Sequence, residues 1–217
     1  MRIDNGSGHR NDPISMTLWR GPNPLILASQ SRARKTLLAN AGIPFETVPT
    51  DINERSIQEA SGLSSAGKIA GLLAREKALS VARQRPGRFV VGADQTLALA
   101  DRLFSKPGGR DEAAVQLRAL AGRMHALHSA VAVARDGEIR FETTTIARMW
   151  MRQLSGDEIQ GYLDEAGEAV TLSVGAYQLE GLGVHLFERV EGDHFTILGL
   201  PLLPLLAFLR QERLLAA

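Results

Sequence analysis

The chain contains no cysteine. That removes disulfides and thiolate chemistry from consideration and suits a reducing cytoplasm. It also lacks a surplus of charge: 25 Lys plus Arg stand against 24 Asp plus Glu, for a formal net charge of +1. No global field draws such a chain to nucleic acid or to a membrane surface, so any anion it binds must be met by local geometry. Long apolar runs are missing as well. Residues 1–24, MRIDNGSGHRNDPISMTLWRGPNP, have no apolar core and do not make a signal peptide. They read as a flexible tail, with Met16 as a second candidate start. Near the other end, ILGLPLLPLLAFL is apolar but carries Pro201 and Pro204. It falls short of the about 20 residues a membrane span requires, and reads as a buried helix starting near Pro201. No repeat or low-complexity tract occurs, and neither GxxxxGK[ST] nor GxGxxG is present. A P-loop and a dinucleotide fold are therefore excluded.

What is present is globular. The 217 residues are 44% hydrophobic and 23% charged, enough for one sizeable core over residues 25–217, arranged in two lobes. Leu25 to Ala28 reads as a buried strand feeding a helix capped by Ser31 and ended by Gly42. Pro44 to Val48 suggests a second strand, Asp51 to Ser65 a polar loop, and residues 66–84 a helix. The stretch PGRFVVGADQTLALAD reads as a strand broken at Gly92 and resumed from Thr96 to Ala100. RDEAAVQLRALAG reads as a helix, and residues 124–134 and 139–149 as a hairpin turning at Asp136-Gly137. A capping box from Ser155 to Glu158 opens another helix. Short strands are expected at Gly183 to Glu188 and Phe195 to Leu198 before the final helix. Strands alternate with helices but hairpins intrude, so the class is α/β with a mixed sheet flanked by helices and a central cleft between two lobes.

Several charges break this pattern. Ser29, Ser31, Arg32, Arg34 and Lys35 crowd a helix N-terminus, where the macrodipole already disfavours cations unless an anion joins them. Lys77 interrupts apolar positions in LLAREKAL, Asp94 follows the buried run FVVGA, and Lys106 precedes a proline and two glycines. Glu54 lies in the TDINE segment. Taken singly, each has an ordinary explanation: solvated surface for Arg32 and Lys35, a snorkelling stem for Lys77, a turn cap for Asp94. Together they have a chemical logic. Glu54 and Asp94 can hold a hard divalent cation such as Mg²⁺. Lys77, Lys106 and Arg34 can neutralise a polyphosphate, and the helix N-terminus at Ser31 offers N–H groups and hydroxyls to its oxygens. His125 and His128 have metal-like spacing, but in a strand a separation of three puts them on opposite faces, which argues against zinc.

Leu25 to Glu46 (LILASQSRARKTLLANAGIPFE), AREKA, VVGADQT, KPGG with its following helix, and AYQLEGLGVHLFERVEG…LGLPL occur in that order from Leu25 to about Leu202. This ordered set resembles the Maf family of nucleoside triphosphate pyrophosphatases, first named for septum inhibition. The resemblance implies a Maf/ITPase-like fold, often homodimeric, that converts a nucleoside triphosphate and water to the monophosphate and pyrophosphate with Mg²⁺ or Mn²⁺. It assigns Ser29 and Arg34 to the opening phosphate-binding motif and Glu54, Lys77 and Lys106 to polar active-site positions. It gives Asp94 the role of proton acceptor.

One departure stands out: the family usually reads S-P-R-R where this chain has Ser31-Arg32-Ala33-Arg34. Three family positions near the nucleobase match Ala33, Gln95 and Glu180 here. The branch acting on dTTP and UTP typically has arginine, threonine and glutamine there; the 7-methyl-GTP branch has an aromatic residue, glutamine and glutamate. Two of three agree with the latter. A carboxylate at Glu180 suits the N1 and N2 donors of guanine, whereas Ala33 removes a face on which a cationic base could stack. The reading is 7-methyl-GTP or another modified purine nucleotide. The alternatives are a dTTP/UTP pyrophosphatase of the same family or a non-catalytic septum-inhibiting binding protein.

Overall fold

The computed structural model describes residues 18–216. Strand β1 (Leu25–Leu27) is wholly buried and runs into helix α1 (Arg32–Asn40), whose N-cap Ser31 accepts from the Arg34 N–H. Strand β2 (Phe45–Thr47) follows, then α2 (Glu54–Ser61), α3 (Ala66–Ala82) and the long strand β3 (Val90–Leu99). A short β4 (Arg102–Phe104) leads to α4 (Arg110–Leu120). Strands β5 (Met124–Arg135) and β6 (Glu138–Met151) form the expected hairpin, with positive φ at both Asp136 and Gly137, as a tight two-residue turn requires. After the capping-box helix α5 (Gly156–Ala166) come three short 3₁₀ segments, strand β7 (Phe187–Glu191), helix α6 (His194–Ile197) and helix α7 (Leu202–Gln211).

The sheet order is β2-β1-β3-β5-β6-β7, with β4 beside β3. β1 pairs parallel with β2 and β3, and every other pairing is antiparallel, so the sheet is mixed as expected. Helix α3 covers one face through small residues, chiefly Ala70, Ala74 and Ala78 against Val90, Ala130 and Ala132. The opposite face carries two separate apolar clusters. One joins Leu27, Val91 and Val131 to α1 and α7; the other joins Leu97, Leu127 and Met149 to α4 and α5. Along β3 and β5 the seam between these cores falls at Gln95 and Ser129, both polar.

Four expectations need correction. Residues 54–61 are helical rather than loop, capped by Asn53 at the start and by Gly62 in the left-handed region at the end. β3 is not broken at Gly92. A Cβ there would lie 2.2 Å from the Ala74 carbonyl oxygen and 2.6 Å from the Ala78 nitrogen, so this glycine lets strand and helix backbones touch. Phe195 to Leu198 is not a strand but lies in and just after α6, whose N-cap Asp193 accepts from the Phe195 and Thr196 N–H groups. The expected strand at 183–188 begins only at Phe187, because Leu182 to Leu186 forms a 3₁₀ turn. The end of the proposed tail falls inside the described residues: Trp19 bridges Leu215, and the Arg20 N–H donates to the Leu214 carbonyl at 2.8 Å. Residues 1–17, including Met16, lie outside them.

Candidate active site

The opening that holds the candidate residues is a consequence of strand pairing. On one edge β3 pairs with β5 from Val90 to Ala98. On the other, β1 reaches only Val91, and β4 takes over only at Leu97. Between them the edge of β3 from Gly92 to Thr96 has no strand partner, which leaves a crevice in the sheet at the carboxyl end of β1, the place where α/β sheets commonly receive ligands. Helix α1 begins at the same place, so its first N–H groups point there.

Lys77, Asp94 and Glu54 meet at this crevice. The Lys77 Nζ donates to Asp94 Oδ1 at 2.6 Å and stands 2.9 Å from Glu54 Oε1. Lys77 and Asp94 are both 7% exposed, whereas the Glu54 side chain is half exposed at the start of α2. The helical spacing of α3 and its backbone contact at Gly92 set Lys77 against β3 two residues further on. Burial raises the Asp94 carboxyl above its ordinary value, and the cations of Lys77 and then Arg34 pull it back without cancelling that effect.

Arg34 answers the puzzle of cations at a helix start: it turns inward. Its Nε donates to the Gly199 carbonyl at 2.7 Å, and Nη1 donates to the Ala93 carbonyl at 2.8 Å and to Ser29 Oγ at 3.0 Å. Burial lowers its pKa, opposed by Asp94 and Glu54, and a guanidinium remains charged under these conditions. Ser29 Oγ also accepts from the Ser31 N–H at 3.3 Å. The Ser31 hydroxyl accepts as the N-cap and keeps its own O–H to donate. Arg32 is exposed, and Ala33 is half-buried in the first turn.

Gln95 points to the other face of β3. Its Nε2 reaches Ser129 Oγ at 2.8 Å and the carbonyls of Thr196 at 3.1 Å and Ile197 at 3.0 Å. Lys106 is exposed just past β4; since Phe104 pairs with Leu97, the chain leaving β4 heads back along β3 towards Asp94. Glu180 is exposed in the turn after Tyr177, and no hydrogen bond or ion pair links it to the other candidates among the described residues. His125 and His128 do face opposite sides. His125 lies in the α4–α5 core, its Nε2 2.7 Å from the Tyr177 hydroxyl, and burial lowers its pKa to about 4; His128 Nδ1 faces Gly67 of α3. Sequence reasoning missed Ser129, Thr196 and Gly199. The helix cap at Asp193 was the available signal, overshadowed by the strand-like run FTIL.

Among the described residues no group of three or more His, Cys, Asp or Glu could hold a metal. Asp94 and Glu54 are an oxygen-only pair, which suits Mg²⁺: that ion takes one or two carboxylates and completes its shell with water and substrate phosphate. An open cleft of about 530 Å³ between α4 and α5, lined by Arg118, Gly122, Arg123 and Gln153, includes none of the candidate residues. No helix among the described residues is long and apolar enough to cross a membrane.

A mixed sheet opened at one strand edge gathers a helix N-terminus, cations and two carboxylates around the opening, groups whose chemistry suits a phosphorylated ligand. The chain belongs to the Maf family, whose model, described as Maf-like protein, matches residues 24–212. It is 68% identical over 201 residues to a nucleoside triphosphate pyrophosphatase of Bradyrhizobium diazoefficiens, covering 93% of this chain and 100% of that one. A protein of the same description from Nitrobacter winogradskyi is 64% identical with the same coverage. A 7-methyl-GTP pyrophosphatase of Brucella abortus is 47% identical, over 87% of this chain and 96% of that one.

Proposed function

We propose that this Maf-family chain hydrolyses nucleoside triphosphates between the α- and β-phosphates, and that it prefers 7-methyl-GTP or another modified purine nucleotide to dTTP and UTP. The observation that carries the reaction is the buried Lys77 held between Asp94 and Glu54 at the crevice. Burying such a pair costs desolvation that hydrophobic residues would avoid, so it is a poor stability device and argues against an idle binding protein. The names of relatives at 64 and 68% identity support the same activity.

In this reading the triphosphate lies along the crevice with its oxygens at the first N–H groups of α1 and the Ser31 hydroxyl. Asp94 orients a water and accepts its proton as the water oxygen attacks the α-phosphorus. The bond from that phosphorus to the bridging oxygen breaks, and Lys77 and Lys106 stabilise the negative charge on the departing pyrophosphate. Asp94 and Glu54 would hold a Mg²⁺ or Mn²⁺, which would further neutralise phosphate charge. Around the base we place Gln95, Ala33 and Glu180. The preference for a methylated guanine rests on the carboxylate of Glu180 and is supported by the Brucella abortus relative. Incubation with 7-methyl-GTP, GTP, dTTP and UTP in Mg²⁺, with pyrophosphate measured, tests both levels. Release from none of a wide nucleotide panel overturns the activity, and a higher kcat/KM for dTTP or UTP overturns the base preference.

A further inference from the structure

Arg34 comes from α1 and Gln95 from β3, yet both are oriented by one turn far along the chain, the segment from Asp193 to Gly199. Gly199 offers its carbonyl to Arg34 Nε at 2.7 Å. Thr196 and Ile197 offer theirs to Gln95 Nε2 at 3.1 and 3.0 Å. Carbonyls only accept, so these two bonds fix which end of the carboxamide is nitrogen. With Ser129 Oγ at 2.8 Å as a third acceptor, both Gln95 N–H groups are engaged within the protein. Gln95 can therefore offer a ligand only its oxygen. Gly199 lies between the two side chains: a Cβ there would stand 3.5 Å from Arg34 Nη2 and 3.6 Å from Gln95 Cδ.

The turn itself is held from below. Asp193 Oδ2 accepts from the Thr196 N–H at 3.1 Å and from its hydroxyl at 3.0 Å, while Oδ1 accepts from the Phe195 N–H at 3.3 Å. Since the Thr196 hydroxyl donates to Asp193, Thr145 Oγ1, 2.8 Å away, is the donor of their shared bond. Ser129 Oγ donates to the Thr196 carbonyl at 2.7 Å, and Ser129 and Thr196 are both fully buried. Lys77 and Asp94 lie on the opposite face of β3 and make no hydrogen bond to this network.

We propose that Asp193 is a positioning residue, which through Thr196 locks the turn that aligns Arg34 and Gln95 together for the substrate. The proposal rests on the pyrophosphatase reading, and it deepens it: phosphate placement and base discrimination are mechanically joined. Loosening the turn then weakens substrate binding and blurs base choice in one step.

The test compares wild type with Asp193→Ala, Asp193→Asn and Thr145→Val, measuring kcat and KM for GTP and UTP, and Tm. For Asp193→Ala the expected result is KM raised about tenfold with kcat changed far less, and the kcat/KM ratio between GTP and UTP drawn towards one. Thr145→Val should show the same pattern in weaker form, and Asp193→Asn, which keeps an oxygen for the Thr196 N–H, should restore part of the discrimination. An unchanged KM and unchanged base ratio in Asp193→Ala overturn the proposal. So does a uniform fall in kcat for both nucleotides that merely follows Tm. A wild type that releases no pyrophosphate overturns the underlying activity and the positioning role with it. An active wild type with an indifferent Asp193→Ala overturns the positioning role alone.

Discussion

Asp94 and Gln95 are neighbours in sequence and stand on opposite faces of β3. On the α3 face, a buried carboxylate is matched by one ammonium, which a second, half-exposed carboxylate shares. On the other face the strand side chains themselves are uncharged: Gln95 and Ser129 bond to each other and to backbone carbonyls of the turn that Asp193 caps. Strand alternation makes this division automatic, because successive side chains leave a strand on opposite sides. The contrast teaches how one edge can serve two purposes. The charged face keeps an ionisable group that can change state, and the neutral face keeps fixed donors and acceptors that cannot.

Breaking the charged face should have the largest effect. Asp94→Asn should cut pyrophosphate release by at least about a hundredfold, the scale of a lost general base, and should also lower Tm, because it leaves the buried Lys77 ammonium with only the half-exposed Glu54 as its carboxylate. Near-normal turnover would mean that the proton goes elsewhere.

The acidity of Asp94 sharpens the contrast. Burial raises its pKa, so the acid limb of kcat/KM should fall above the ordinary carboxylate range, about 3.9 for aspartate. Lys77→Met removes the largest opposing charge and should move that limb higher still, which a pH–rate profile would reveal. Gln95→Met changes only the neutral face, and no such shift is expected there.

Further from the crevice, the α4–α5 core carries its own titration. His125 is lowered to about 4 in the fold against 6.5 when unfolded, so between those values the unfolded chain binds the extra proton. Stability is therefore full above pH 6.5 and declines as pH falls towards 4, by up to about 3 kcal/mol over the whole window. Denaturant unfolding of wild type and His125→Gln at pH 7 and pH 5 should show a smaller decline in the variant. Smallest of all, Glu180→Gln should shift the kcat/KM ratio from guanine towards pyrimidine nucleotides by a few-fold, without touching kcat for GTP.

The charged face was the legible one. Lys77 and Asp94 show in the sequence because each breaks an apolar run, and a buried charge in such a run demands a partner. The neutral face was not. Ser129 sits inside HSAVAVAR, where a small hydroxyl looks like any strand residue, and its hydroxyl donates to a backbone carbonyl 67 residues away that no side-chain pattern announces. Helix α6 was hidden by the strand-like composition of FTIL, although the Asp193 cap marked it. Arg34 stood out in the sequence as a cation at a helix start but not as a buried one, since only tertiary structure brings Gly199 and Ala93 to its guanidinium. Gly92 was taken for a break because a glycine in a strand weakens it locally. Here the gain comes from the neighbouring helix.

That glycine works as a mechanical stop. Peptide atoms of α3 and β3 rest on one another with no room for a methyl group between them, so the separation of helix and strand is gauged by backbone, which substitution cannot thin or thicken. That contact seats the ammonium of Lys77 beside the carboxylate two residues further along β3. The tolerance of the pair is inherited from the one residue type that has no side chain to vary.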